Sequence, residues 1–162
     1  MLVYHGGIRP IQAPDVSVGR KNLDFGKGFY VTTLREQAEK WAIRKAMRKD
    51  KPVVSVYEFD ETGLFIKRFS GYTADWLNYV AANRSGMTTS QKYDAVFGHV
   101  ANDDVANAVA EYMQYVNAGR ADETTMAFSI KQLSFQPHND QLCFKTEKAV
   151  ANLRYLESYE VG

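Results

Sequence analysis

The strongest constraint on this chain is a change of hydrophobic period at Thr33. Gly28 to Thr32 reads as a short β-strand, and Leu34, Ala38, Trp41, Ala42 and Lys45 then recur at helical spacing through Asp50. Thr33 followed three residues later by Glu36 predicts a capping box, so the helix starts as soon as the strand stops. Similar local signals order the rest of the chain. Leu2 to His5 predicts a first strand stopped by Gly6-Gly7, and Ile8 to Phe25, punctuated by Pro10, Pro14 and Gly19, predicts a long loop. Loops of that length are commonly functional. Pro52 to Asp60 and Leu64 to Phe69 predict a hairpin or adjacent strands. Thr73 to Asn83 predicts a helix with Trp76, Leu77 and Val80 on one face. Tyr93 to His99 follows as a buried strand. Asn102 or Asp103 then caps a helix whose stripe is Val105, Val109, Tyr112, Met113 and Val116, ending at Gly119. A helix over Asp122 to Leu133, a strand over Gln141 to Lys145, a helical turn near Thr146 to Val150 and a strand over Leu153 to Glu160 complete the reading. Strands and helices mix without regular βαβ alternation, which predicts an α+β fold.

With 162 residues and no repeat or linker, residues 1–162 are expected to form a single domain. The 20 basic and 19 acidic side chains nearly cancel, which argues against broad electrostatic binding to nucleic acid. Cys143 has no partner for a disulfide, and the N-terminal residues lack the pattern of a signal peptide. No apolar run is long enough for a bilayer span, so a cytoplasmic protein without a membrane partner is expected. The aromatic content stands out at 10 Tyr, 9 Phe and 2 Trp, implying an aromatic core or rings engaged in recognition.

Common catalytic signatures are missing: no phosphate-binding loop, no Gly-x-Gly-x-x-Gly after a strand, no Gly-x-Ser-x-Gly and no His-Glu-x-x-His. His5, His99 and His138 have no Cys or His at ligand spacing, so no metal is expected. Two segments remain informative. Tyr4-His5-Gly6 closes the first strand, and Phe25-Gly26-Lys27-Gly28-Phe29-Tyr30-Val31-Thr32-Thr33 leads into the helix that carries Trp41, 11 residues after Tyr30.

This combination resembles the ADP-ribosyltransferase superfamily in its diphtheria-toxin and poly(ADP-ribose) polymerase branch, and a small bacterial family placed within it. The segments Gly98 to Asp103 and Gln141 to Ala149 fit that bacterial family, and the matched features run from residue 3 to about residue 156. The resemblance implies split, mostly antiparallel sheets with flanking helices. It also implies NAD as co-substrate and transfer of a single ADP-ribose to a macromolecular acceptor, protein or nucleic acid. A bacterial toxin or effector with a cognate antitoxin is a further implication. In the resembled enzymes the strand histidine bonds a ribose hydroxyl and the following glycine's backbone holds the nicotinamide carboxamide; here these are His5 and Gly6. Two aromatic faces hold the flat cationic nicotinamide by stacking and cation–π attraction, roughly 0.5–2 kcal/mol per ring. Tyr30 and Trp41 are the matching pair. Thr32 adjoins the site, and Arg9, with Arg20 and Lys21, is a candidate for the phosphates. Ala38 stands where the polymerases carry a serine, as in the diphtheria-toxin branch.

The third motif departs from the pattern. Most of the superfamily places a glutamate at the start of a late strand, where it bonds the ribose and stabilises the oxocarbenium-like transition state. Here Gln141 matches, with Asp140 as the alternative. A neutral glutamine forms a weaker bond than a charged carboxylate, which favours single transfer over chain elongation. NAD hydrolysis and a non-enzymatic binding module of the same fold remain open readings.

Overall fold

The computed structural model describes residues 1–87, 92–133 and 137–162. Its strands are β1 (Leu2–Gly7), β2 (Phe29–Val31), β3 (Val53–Phe59), β4 (Ile66–Arg68), β5 (Ala95–Gly98), β6 (Gln141–Phe144) and β7 (Leu153–Glu160). The helices are α1 (Arg35–Ala46), α2 (Ala74–Arg84), α3 (Asp103–Asn117), α4 (Glu123–Leu133) and α5 (Glu147–Ala151). They build an α+β fold. One sheet has the order β1-β3-β7 and is antiparallel throughout; the other runs β2-β6-β5-β4 and is antiparallel except for the parallel pair β4 and β5. A bridge between Tyr4 and Thr32 ties the two sheets together.

The layers follow from where the apolar side chains go. Val54 and Val56 of β3 pack with Ala38 and Ala42 of α1. Tyr57 and Phe59, on alternate positions, meet Val3, Val31, Leu142 and Phe144 between the sheets. β3 is therefore buried on both faces, which explains its nearly unbroken run of apolar residues. On the far side of the second sheet, Trp76, Leu77 and Val80 of α2 join Val105 and Val109 of α3, Leu133 of α4 and Phe25. The order is α1, first sheet, second sheet, then α2 to α4.

Several local expectations change in this context. β1 continues through Gly6 and Gly7, which pair with Val54 and Val53. β3 and β4 form no hairpin: both edges of β3 are filled, by β1 and β7, and β4 crosses to the other sheet. The capping box at Thr33 does not form, because the Thr33 hydroxyl and backbone N–H both donate to the Asp140 carboxylate. A charged acceptor outcompetes the helix's own backbone. Leu34 is left as the N-cap with no side-chain cap bond, and α1 ends at Ala46, where Met47 turns left-handed at φ 46°. Of the two caps considered for α3 it is Asn102 that acts, accepting from the Val105 N–H, and α2 is capped by Thr73, which accepts from the Trp76 N–H.

Candidate functional site

A cleft of about 800 Å³ opens where the end of β1, the long loop over residues 8–25, β2, α1 and the start of β6 meet. His5, Arg9, Tyr30, Trp41 and Gln141 all line it. Each wall has a local reason. In α1, three alanines (Ala38, Ala42 and Ala46) are the buried residues, so the helix lies close on β1 and Trp41 stands half-buried on the cleft wall. The loop is pinned back by Tyr57, whose hydroxyl donates to the Ile11 carbonyl at 2.5 Å, and by Ser55, whose Oγ accepts from the Ile11 N–H at 3.1 Å.

His5 Nδ1 lies 2.7 Å from the Tyr30 carbonyl, which can only accept, so Nδ1 carries the proton and Nε2 is the bare acceptor of the neutral ring. The ring stacks on Phe29 at 4.5 Å. Burial, reinforced by the nearby Lys45 ammonium and opposed by the Tyr30 bond, lowers the His5 pKa to about 4. At neutral pH the cleft therefore presents an uncharged imidazole. Tyr30 donates its hydroxyl to the Gly26 carbonyl at 2.5 Å and accepts from the Phe25 N–H at 3.1 Å. Burial raises its pKa strongly, keeping the phenol protonated. Its ring, not its hydroxyl, is what remains for a ligand.

Gln141 lies at the buried start of β6. Its Nε2 donates to Asp24 Oδ2 at 3.0 Å and to the His99 carbonyl at 3.2 Å. Both partners are acceptors, which settles the orientation of the amide. Asp140 faces elsewhere. Its Oδ1 accepts from the Thr32 hydroxyl at 2.6 Å and the Thr33 N–H at 2.9 Å, and its backbone carbonyl accepts from Gln37 at 2.5 Å. It is a clamp between β6 and the β2–α1 junction, so of the two candidates it is Gln141 that reaches the cleft.

Two expected site residues are absent from the cleft lining. Thr32 is fully buried and spends its hydroxyl on Asp140. Gly6 is turned toward α1: a Cβ there would lie 2.1 Å from the Ala38 carbonyl oxygen and 2.8 Å from the Ala42 nitrogen. The glycine is needed to seat the helix rather than to admit a ligand, and its own carbonyl accepts from Lys45 Nζ at 2.7 Å. Lys21 does not line the cleft, whereas Arg9 and Arg20 do.

A family model described as protein of unknown function, DUF3990, matches residues 1–155. The chain belongs to this family. No curated protein and no solved structure is significantly similar to it. In this DUF3990 member the cleft also takes in residues outside the set expected from the resemblance. Arg44 and Lys45 line the cleft, three and four residues after Trp41 and so on the same side of α1, a spacing visible in the sequence. Loss of water around its ammonium, together with the nearby Arg20, lowers the Lys45 pKa. Asp24 and Arg84 had no local signal. Their side chains meet at 2.6 Å across 60 positions of sequence. Among the described residues, five cationic ones (Arg9, Arg20, Arg44, Lys45 and Arg84) and two acidic ones (Asp15 and Asp24) line the cleft. The excess of positive charge suits a polyanionic ligand, which the chain's overall charge of +1 conceals. Among the described residues, no group of three or more His, Cys, Asp or Glu is placed to hold a metal ion, and no helix is long and apolar enough to cross a membrane.

Proposed function

We propose that this protein binds NAD in the cleft, cleaves the nicotinamide–ribose bond and transfers a single ADP-ribose to a macromolecular acceptor, as a mono-ADP-ribosyltransferase. One observation carries the reading: His5, Tyr30, Trp41 and Gln141, distant in sequence, line one cleft whose rim is cationic. The residues present suit the ligand. Two aromatic side chains offer faces for the nicotinamide ring, neutral His5 offers Nε2 to a ribose hydroxyl, and Arg9 and Arg20 offer charge to the diphosphate. Gly6 is outside the cleft lining and its carbonyl already accepts from Lys45, so a carboxamide held by its backbone would have to displace that bond. The resemblance extends the proposal to a bacterial toxin or effector with a cognate antitoxin.

Incubation of the purified protein with labelled NAD and cell lysate tests the reading. Label on protein or nucleic acid is the expected result. Free ADP-ribose alone would replace transfer by NAD hydrolysis, and unchanged NAD would leave a binding module. NAD affinity should fall in both His5→Ala and Tyr30→Ala; unaltered affinity in both removes the site assignment.

A further inference from the structure

The start of β6 carries an amide where the resembled enzymes carry a carboxylate, yet a carboxylate lies directly behind it. Asp24, 8% exposed, is surrounded by donors. Its Oδ1 accepts from Arg84 Nε at 2.9 Å and Nη2 at 2.6 Å, and its Oδ2 accepts from the Ala101 N–H at 2.9 Å and from Gln141 Nε2 at 3.0 Å. The second Gln141 amide hydrogen goes to the His99 carbonyl. Both Gln141 donors are thus consumed, and Oε1, which accepts no hydrogen bond among the described residues, is the one polar atom of the side chain left for a ligand. No fully buried side-chain polar atom among the described residues lacks a partner, so this oxygen keeps access to the cleft that Gln141 lines.

We propose that Asp24 is a positioning residue acting through Gln141: it locks the amide with Oε1 as the acceptor and places a full negative charge one hydrogen bond behind it. The charge missing from the third motif has moved back one residue. The proposal rests on the NAD-cleaving reading. In that reaction the bond from ribose C1′ to the nicotinamide nitrogen breaks and its electron pair neutralises the ring. Positive charge grows on the ribose until a nucleophile bonds C1′ and releases its proton to solvent. An acceptor backed by a carboxylate favours that charge more than an isolated amide does.

The arrangement makes two substitutions informative. Asparagine cannot replace Asp24 without conflict, because either orientation of its amide turns N–H groups toward Arg84 or toward the Ala101 N–H. Glutamate at 141, the residue most of the resembled enzymes use, would set a second carboxylate against Asp24 at the 3.0 Å contact. Restoring the common motif residue is therefore expected to harm this protein.

The full chain is tested in two ways. In ¹⁵N-labelled protein the Gln141 side-chain amide protons should exchange slowly with solvent, and Asp24→Asn should abolish that protection. With NAD as probe, nicotinamide release should fall about 10- to 100-fold in kcat for Asp24→Asn and for Gln141→Glu, with KM moving less than about threefold. Combining the two leaves a single charge in the pair and should recover part of the Gln141→Glu loss. If Asp24→Asn does not fold, Gln141→Glu still bears on the proposal: a kcat at or above wild type would show that the charge of Asp24 is not felt at position 141. That result, or a fast-exchanging Gln141 amide in the wild type, overturns the proposal and leaves NAD cleavage standing. A wild-type protein that releases no nicotinamide overturns the NAD reading and the catalytic half of the proposal, even with the Gln141 amide protected.

Discussion

Acidification should destabilise this protein through His5 before most carboxylates titrate. The ring sits against Phe29 with Nδ1–H bonded to the Tyr30 carbonyl, and burial lowers its pKa from 6.5 to about 4. Because the folded value lies below the unfolded one, the unfolded chain binds more protons between about pH 4 and 6.5. Stability is full above that window and is lost as pH falls through it. At 1.36 kcal/mol per pH unit, the loss from His5 between pH 7.5 and pH 5 is roughly 2 kcal/mol, rising to about 3 kcal/mol once both states are protonated. For a chain of this length 2 kcal/mol corresponds to about 4–8 °C in Tm. Urea unfolding of the wild type and of His5→Gln at pH 7.5 and pH 5 measures it. Glutamine retains an N–H for the Tyr30 carbonyl and does not titrate, so subtracting its pH dependence removes the contribution of every other group. Equal losses in the two proteins would refute the argument, because they would mean that His5 is charged in the folded state without penalty.

Other substitutions separate the cleft from its scaffold. Gly6→Ala forces a Cβ against the backbone of α1 and should cost about 1–3 kcal/mol in unfolding free energy with no ligand present; an unchanged Tm would show that the helix yields freely. Trp41→Ala removes a half-buried ring from the cleft wall and should weaken NAD binding by roughly 2- to 30-fold in calorimetry, with Tm shifting by only a few degrees. Asp140→Ala should do the opposite: about 2–4 kcal/mol of stability lost by chemical denaturation as Thr32 and Thr33 lose their acceptor, with near wild-type NAD affinity for the folded fraction.

Much of the architecture was legible because it rests on local periodicity. The stripe Trp76, Leu77 and Val80 and the cap at Asn102 are set by neighbours in sequence, and the folded chain buries the stripe and forms the cap as the pattern requires. Readings failed where a distant group competed. Thr33 looks like a cap until Asp140, 107 positions away, takes its hydroxyl, and the requirement for glycine at position 6 comes from α1, which fills the space a Cβ would take. The sequence by itself determined the mixed α+β character and the order of most elements, and it singled out Tyr30 and Trp41, which both line the cleft. Tertiary structure alone decided which polar side chains share the cleft. Asp24, Arg84 and Gln141 carry no mutual signal along the chain, and their pairing arises only when β6, α2 and the long loop converge and a buried carboxylate must collect every donor within reach.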